Sequence, residues 1–119
     1  MVKVAVVGAS GYAGAQLCRI ISRHEKLELA ALFVSENSLD KGKRISDLYG
    51  ELNGICDKEL QPLTGADDII GKADAVFLAT DHKVSHDIAP ALVEAGIAVF
   101  DLSGAFRISD TDVFEKAYG

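Results

Sequence analysis

The chain has no tryptophan, one methionine, two prolines and two cysteines in 119 residues. Cys18 and Cys56 are too few for the disulfide framework of a small secreted scaffold. Neither stands in a CxxC pair or at metal-ligand spacing from a histidine, so both are expected as reduced thiols and no metal site is expected. Positive charge is also scarce: 12 Lys and Arg stand against 18 Asp and Glu, a net charge of −6. That sign opposes the footprint of phosphate-backbone binding and argues against a nucleic-acid partner. Long apolar runs are missing too. The run Val4 to Val7 is too short for a signal-peptide core or a membrane span, so a cytoplasmic protein with no membrane partner is expected. Repeats, low-complexity tracts and linkers are absent. A chain this long hides roughly 65% of its unfolded surface, enough for one core, so a large active site must be incomplete or shared.

What is present is a change of period along the chain. Val2 to Val7 is a β-branched run that stops at Gly8, the pattern of a buried parallel strand. From Tyr12 the period becomes helical, with Ala13, Leu17, Ile20 and Ile21 on one face and Gln16, Arg19 and Arg23 on the other. Leu27 to Val34 is the second strand, so the first 34 residues spell a βαβ unit, whose crossover is right-handed by rule. Residues 39–71 are the least readable, with a weak strand at Leu60 to Thr64. Ala75 to Thr80 and Ile97 to Leu102 read as further strands. Between them lies a helix with apolar face Ile88, Ala89, Leu92 and Val93, closed by Gly96. Pro90 is harmless only in a first turn, which allows that helix to begin as late as Asp87. A last short helix is expected to carry Val113, Phe114 and Ala117 after a cap at Ser109 or Asp110. The fold class expected is α/β: one Rossmann-like domain, a doubly wound parallel sheet of order 3-2-1-4-5.

Gly8-Ala9-Ser10-Gly11-Tyr12-Ala13-Gly14 joins the first strand to its helix, a GxxGxxG spacing. In such a turn one glycine lets the chain bend sharply, a second lets backbone approach a pyrophosphate, and a third lets helix and sheet pack; the helix N-terminus adds unpaired N–H groups. Gly8, Ser10, Gly11, Tyr12, Ala13 and Gly14 are therefore candidate cofactor residues, with packing an equal reading for Tyr12. After the second strand, Glu36 points to NAD through a ribose hydroxyl. Ser35, with Lys41, Lys43 and Arg44 behind it, points to the 2′-phosphate of NADP, a solvated loop being the equal reading for the three cations, and NADP is favoured. Thr80, His82 and Ser85 follow a strand end and are candidates for the nicotinamide half, a cap by Ser85 or Asp81 being the alternative. Ser103 and Arg107 follow the last strand; an arginine fork there suits a substrate carboxylate or phosphate, against a plain salt bridge. Cys18 sits among the apolar positions of the first helix and Cys56 has no activating neighbour, so neither is assigned chemistry.

Four stretches together resemble the N-terminal part of the N-acetyl-γ-glutamyl-phosphate reductases, a family related to aspartate-semialdehyde dehydrogenase. They are Val7 to Gly14, Val34-Ser35, Phe77 to Thr80 with His82 and Ser85, and Asp101 to Arg107. The resemblance spans the whole chain. It implies an NADPH-dependent oxidoreductase of arginine biosynthesis that reduces an acyl phosphate, N-acetylglutamyl 5-phosphate, to the semialdehyde with release of phosphate. A cysteine that forms a thioester and a histidine acid/base lie further along in that family, so residues 1–119 are expected as an inactive cofactor-domain fragment of a longer, homo-oligomeric enzyme. Many relatives carry Asp where this chain has Ala105. Two other readings stand beside this one: an aspartate-semialdehyde dehydrogenase-like domain, and a nucleotide-sensing module without chemistry.

Overall fold

β1 (Val2–Val7) is buried on both faces from Val4 to Val7, which only a central strand of a covered parallel sheet allows. The structure, a computed structural model, describes residues 2–80 and 82–102, with the backbone alone for 82–85. β1 pairs in parallel with β2 (Leu27–Ser35) on one side and β4 (Ala75–Leu78) on the other. β3 (Leu60–Leu63) lies outside β2 and β5 (Ala98–Asp101) outside β4, so the order is β3-β2-β1-β4-β5, as the sequence predicts. The chain builds outward from β1, then returns to its other side; the order reverses between β1 and β4.

Alternation divides the core. Val4, Val6, Leu32 and Val34 face α1 (Tyr12–Arg23), while Ala5, Val7, Phe33, Val76 and Leu78 face α3 (His82–Glu94). Leu29 and Leu32, three apart, share the α1 face because the β1–β2 register shifts between Val4 and Ala5. The buried stripe of α1 is Gly14, Ala15, Cys18 and Ile21. This is a correction: Ile20 is 60% exposed, and Ala13 and Leu17 are only half-buried. The helix lies rotated because Gly14 and Ala15, small enough for close contact, face the loop beneath it.

α3 starts at His82, earlier than the latest start at Asp87 that the sequence allows, and so carries Pro90 in its interior. An interior proline costs about 3 kcal/mol. Burial of Ile88 and Leu92, roughly 1.5–3 kcal/mol each, offsets that locally. Val93, expected on the apolar face, is 61% exposed. The end of the helix follows the sequence: Gly96 turns at φ +85°, its N–H reaches the Val93 carbonyl at 3.0 Å, and the Ile97 N–H reaches Leu92 at 3.0 Å. That Schellman closure takes the Ile97 N–H, so β5 starts one residue later than its apolar run.

The segment between β2 and β3 is structured. Its one-turn helix α2 (Ile45–Leu48) and the 3₁₀ turn Gly50–Leu52 put Ile45, Leu52 and Cys56 into the α1-side core beside Leu60. The expected short helix around Val113, Phe114 and Ala117 lies outside the described residues.

Candidate functional site

The glycine turn sits where the strand order reverses. Gly8 turns at φ +83°, and the N–H groups of Gly8 and Ala9 both donate to the Phe33 carbonyl, at 2.8 and 3.1 Å. A Cβ on Gly8 would stand 2.4 Å from the Ala79 carbonyl oxygen, and one on Gly14 would stand 2.4 Å from the Gly8 carbonyl oxygen and 2.7 Å from Ala9 Cα. These two glycines answer to the chain itself: the first lets the ends of β1 and β4 meet, and the third lets α1 rest on the loop. Gly11 does not. Its backbone is extended (φ −76°, ψ 163°), and an added Cβ would meet only the Gly8 carbonyl oxygen, at an ordinary 3.5 Å.

The start of α1 has donors to spare. The Gly11 N–H turns back to Gly8 at 3.2 Å, and the Gly11 carbonyl accepts from Ala15 at 2.9 Å. Tyr12, Ala13 and Gly14 then hold the first helical N–H groups, for which no helical acceptor exists. The cap residue supplies no side-chain bond, and no acidic residue stands in the first turn to complement the positive end of the helix. Tyr12 itself is 73% exposed, and with Ala13 it borders an apolar groove on the outer face of α1.

Beside the turn, a cleft of about 330 Å³ opens between the ends of β1, β2, β3 and α3. Gly8, Ser35, Glu36, Thr64, Thr80 and Asp87 border it. The cleft thus brings Gly8, Ser35 and Thr80 together, while the rest of the turn, from the half-buried Ser10 and the exposed Gly11 to Gly14, does not border it. His82 and Ser85 fall by backbone in the first turn of α3, and their side chains, like all of Ser103 and Arg107, lie outside what is described.

At the end of β2 the Ser35 hydroxyl accepts the Asn37 N–H at 3.3 Å, and Lys41 Nζ donates to the Glu36 carbonyl at 2.9 Å. Of the three cations that follow, Lys41 is held against the strand end. Lys43 pairs with Asp40 at 3.5 Å, and Arg44 starts α2, its N–H donating to the Asp47 carboxylate at 3.1 Å. Thr64, after β3, is fixed by Asp68, whose carboxylate accepts its N–H at 2.7 Å and its hydroxyl at 2.8 Å. Those bonds lower the Asp68 pKa. Sequence reasoning missed Thr64 and Asp87; the Thr64-Gly65 pair after a weak strand was the available signal. Cys18 is pushed up to about 12 by burial and by the neighbouring Cys56, against a lowering bond from its own backbone, so it is a neutral packed thiol.

An open parallel sheet reversing at β1/β4, with a glycine turn feeding an uncapped helix at that point, defines a dinucleotide-binding domain of the doubly wound class. Residues 3–117 match the family model described as semialdehyde dehydrogenase, NAD binding domain, and the chain belongs to that family. It is 51% identical over 119 residues to an N-acetyl-γ-glutamyl-phosphate reductase of Pectobacterium carotovorum and 52% identical to that of Escherichia coli K12. It spans 36% of the length of each of these relatives. Among solved structures it is similar to an aspartate semialdehyde dehydrogenase with NADP from Candida albicans, at TM-score 0.72 and 28% identity, over 90% of this chain and 31% of that one. A probable aspartate-semialdehyde dehydrogenase from Pseudomonas aeruginosa gives TM-score 0.64 and 26% identity over 92% and 30%.

Proposed function

We propose that residues 1–119 are the NADP(H)-binding domain of a longer N-acetyl-γ-glutamyl-phosphate reductase, whose substrate and catalytic groups lie elsewhere in the polypeptide. The observation that carries the binding site is the glycine turn: Gly11 is a glycine the chain does not need, beside first-turn amides with no helical acceptor. An anion laid there meets oriented donors and the positive end of α1. Gly8, Ser10, Gly11, Tyr12, Ala13 and Gly14 would hold the pyrophosphate, Ser35 the adenosine end, and Thr80, His82 and Ser85 the nicotinamide half. When bound, the cofactor supplies the hydride that reduces the acyl phosphate to the aldehyde.

The reductase is favoured over the aspartate-semialdehyde dehydrogenase reading by identity of 51–52% against 26–28%. Ser103 and Arg107 are assigned to the substrate anion, and the chain alone is expected to be inactive as a reductase. A cytoplasmic, homo-oligomeric parent enzyme completes the reading; no described helix is long and apolar enough to cross a membrane.

NADP is proposed over NAD because Lys41 is held at the end of β2 next to Ser35, and because the similar Candida albicans structure is with NADP. Two charge-assisted bonds to a 2′-phosphate are worth roughly 1–3 kcal/mol, about 5- to 150-fold in Kd. Titration with NADP⁺ and NAD⁺ at low ionic strength should show that preference, shrinking with salt and in Lys41→Ala. Equal dissociation constants would contradict it and mean that Glu36, or neither group, governs the site.

A further inference from the structure

The segment between β2 and β3 reaches back to the glycine turn through one side chain. Tyr49 is placed by α2 and the 3₁₀ turn: its N–H donates to Ile45 at 3.0 Å and its carbonyl accepts from Leu52 at 2.9 Å, with Ile45 and Leu52 fully buried. From that anchored position its hydroxyl donates to the Ser10 carbonyl at 2.8 Å, across 39 residues of sequence. Its ring meets the Tyr12 ring edge-on, 6.4 Å between centroids.

The consequence lies in the peptide unit joining Ser10 to Gly11. Its carbonyl is held by Tyr49, and its N–H is held by the Gly8 carbonyl at 3.2 Å. Both ends of that peptide dipole are tied, so it cannot rotate. Without the tyrosine hydroxyl only the 3.2 Å bond from the Gly11 N–H would restrain the unit, and the Ser10 carbonyl, with no cap on the helix behind it, could swing its oxygen toward the helix start. An oxygen there would repel an anion and compete for the Tyr12 and Ala13 amides. Donors that need no reorganisation bind more tightly than donors that must first be ordered.

We propose that Tyr49 is a positioning residue for the pyrophosphate of the dinucleotide, holding the Ser10–Gly11 peptide so that the first amides of α1 stay open to the ligand. This rests on the assignment of the glycine turn to a dinucleotide. Tyr49 acts through the backbone of the turn and does not itself touch the ligand.

Tyr49→Phe keeps the ring and removes only the donor, so the fold is preserved. Dissociation constants of the 119-residue chain and of Tyr49→Phe should be compared for NADP⁺ and for adenosine 2′-monophosphate, which has no pyrophosphate. Thermal unfolding and amide exchange of Tyr12 to Gly14 should be followed on the same samples. The expected result is NADP⁺ affinity lowered about five- to tenfold, the scale of one hydrogen bond, with adenosine 2′-monophosphate unchanged and faster exchange at the start of α1. Equal NADP⁺ affinity in the two proteins would overturn the role of Tyr49 while leaving the dinucleotide site standing. Equal loss for both ligands would make Tyr49 a merely structural residue and overturn it as well. If the unmutated chain bound neither NADP⁺ nor NAD⁺, the dinucleotide assignment and the role of Tyr49 would fall together.

Discussion

The two edges of the sheet carry clefts of nearly equal size, about 360 Å³ at the amino edge and 330 Å³ at the carboxyl edge, and they differ in what their backbone has left to offer. At the amino edge Lys3, Asp74 and Ala98 pair with one another. The Lys3 N–H donates to the Asp74 carboxylate at 3.0 Å, the Asp74 N–H to the Lys3 carbonyl at 2.7 Å, and the Ala98 N–H to the Asp74 carbonyl at 3.1 Å. At the carboxyl edge the first N–H groups of α1 have no acceptor in the helix and no cap. Volume therefore does not mark the site. The proposed site is marked instead by oriented donors beside the cleft that have no helical acceptor, and they exist because a parallel sheet puts every helix N-terminus at the carboxyl edge of the strand before it.

The contrast can be broken at four strengths. The largest effect belongs to Gly8→Val, which places a branched side chain at φ +83° with its Cβ 2.4 Å from the Ala79 carbonyl oxygen. Left-handed strain and overpacking together should cost roughly 3–5 kcal/mol, a large share of a small domain's stability. Urea unfolding should show a midpoint far below that of the parent chain; a fold of unchanged stability would mean the β1 and β4 turns can separate.

Gly11→Val tests the other half of the glycine division. Its backbone is already extended and its surroundings open, so stability should move by less than about 1 kcal/mol. Cofactor affinity should nevertheless fall at least tenfold, because the new side chain fills the space a pyrophosphate needs. A folded Gly11→Val chain that binds NADP⁺ as well as the parent would remove the glycine turn from the site.

At the amino edge, Asp74→Asn weakens the bond to the Lys3 N–H and should lower stability by about 0.5–1.5 kcal/mol in thermal melts. Cofactor affinity should stay the same. A matching loss of affinity would show that the two edges are coupled.

The smallest effect is acid dependence at Thr64. The Asp68 carboxyl is held below its ordinary 3.8 by the Thr64 N–H and hydroxyl, so its folded value lies under its unfolded one. The stability it contributes is present above 3.8 and is lost as pH falls through the lowered folded value. Asp68→Asn should therefore flatten the acid limb of the stability curve below about pH 4 and leave its slope near pH 7 unchanged. A changed slope near neutrality would point to a different titrating group.

How much of this was legible follows the same division. β1, α1 and β2 could be read because a β-branched run ends at Gly8 and a helical period begins at Tyr12, signals that lie within a few residues of each other. The strand order followed from the βαβ logic. The rotation of α1 escaped because hydrophobicity ranks Ile20 above Gly14, whereas contact with the turn requires the absence of a side chain at Gly14. The core positions Ile45, Leu52 and Cys56 escaped because they are carried by single turns too short to show a period. At the proposed site, the glycine turn and Ser35 are legible as local patterns. Thr64, Asp87 and Tyr49 were not, since each reaches the carboxyl edge from a distant element, and Tyr49 bonds to Ser10 across 39 positions. Pro90 leaves the start of α3 open in the sequence for a related reason: its local cost is real, but burial of Ile88 and Leu92 fixes the helix around it.

The claim that a dinucleotide occupies the carboxyl edge is tested most directly by amide chemical shifts of the labelled 119-residue chain during titration with NADP⁺. The account predicts that the largest shifts fall on Tyr12, Ala13 and Gly14, with Ser35 and Thr64 following, while Lys3, Asp74 and Ala98 at the amino edge stay in place. Saturating NADP⁺ that moved the amino-edge amides instead, or left those of the glycine turn unshifted, would contradict it.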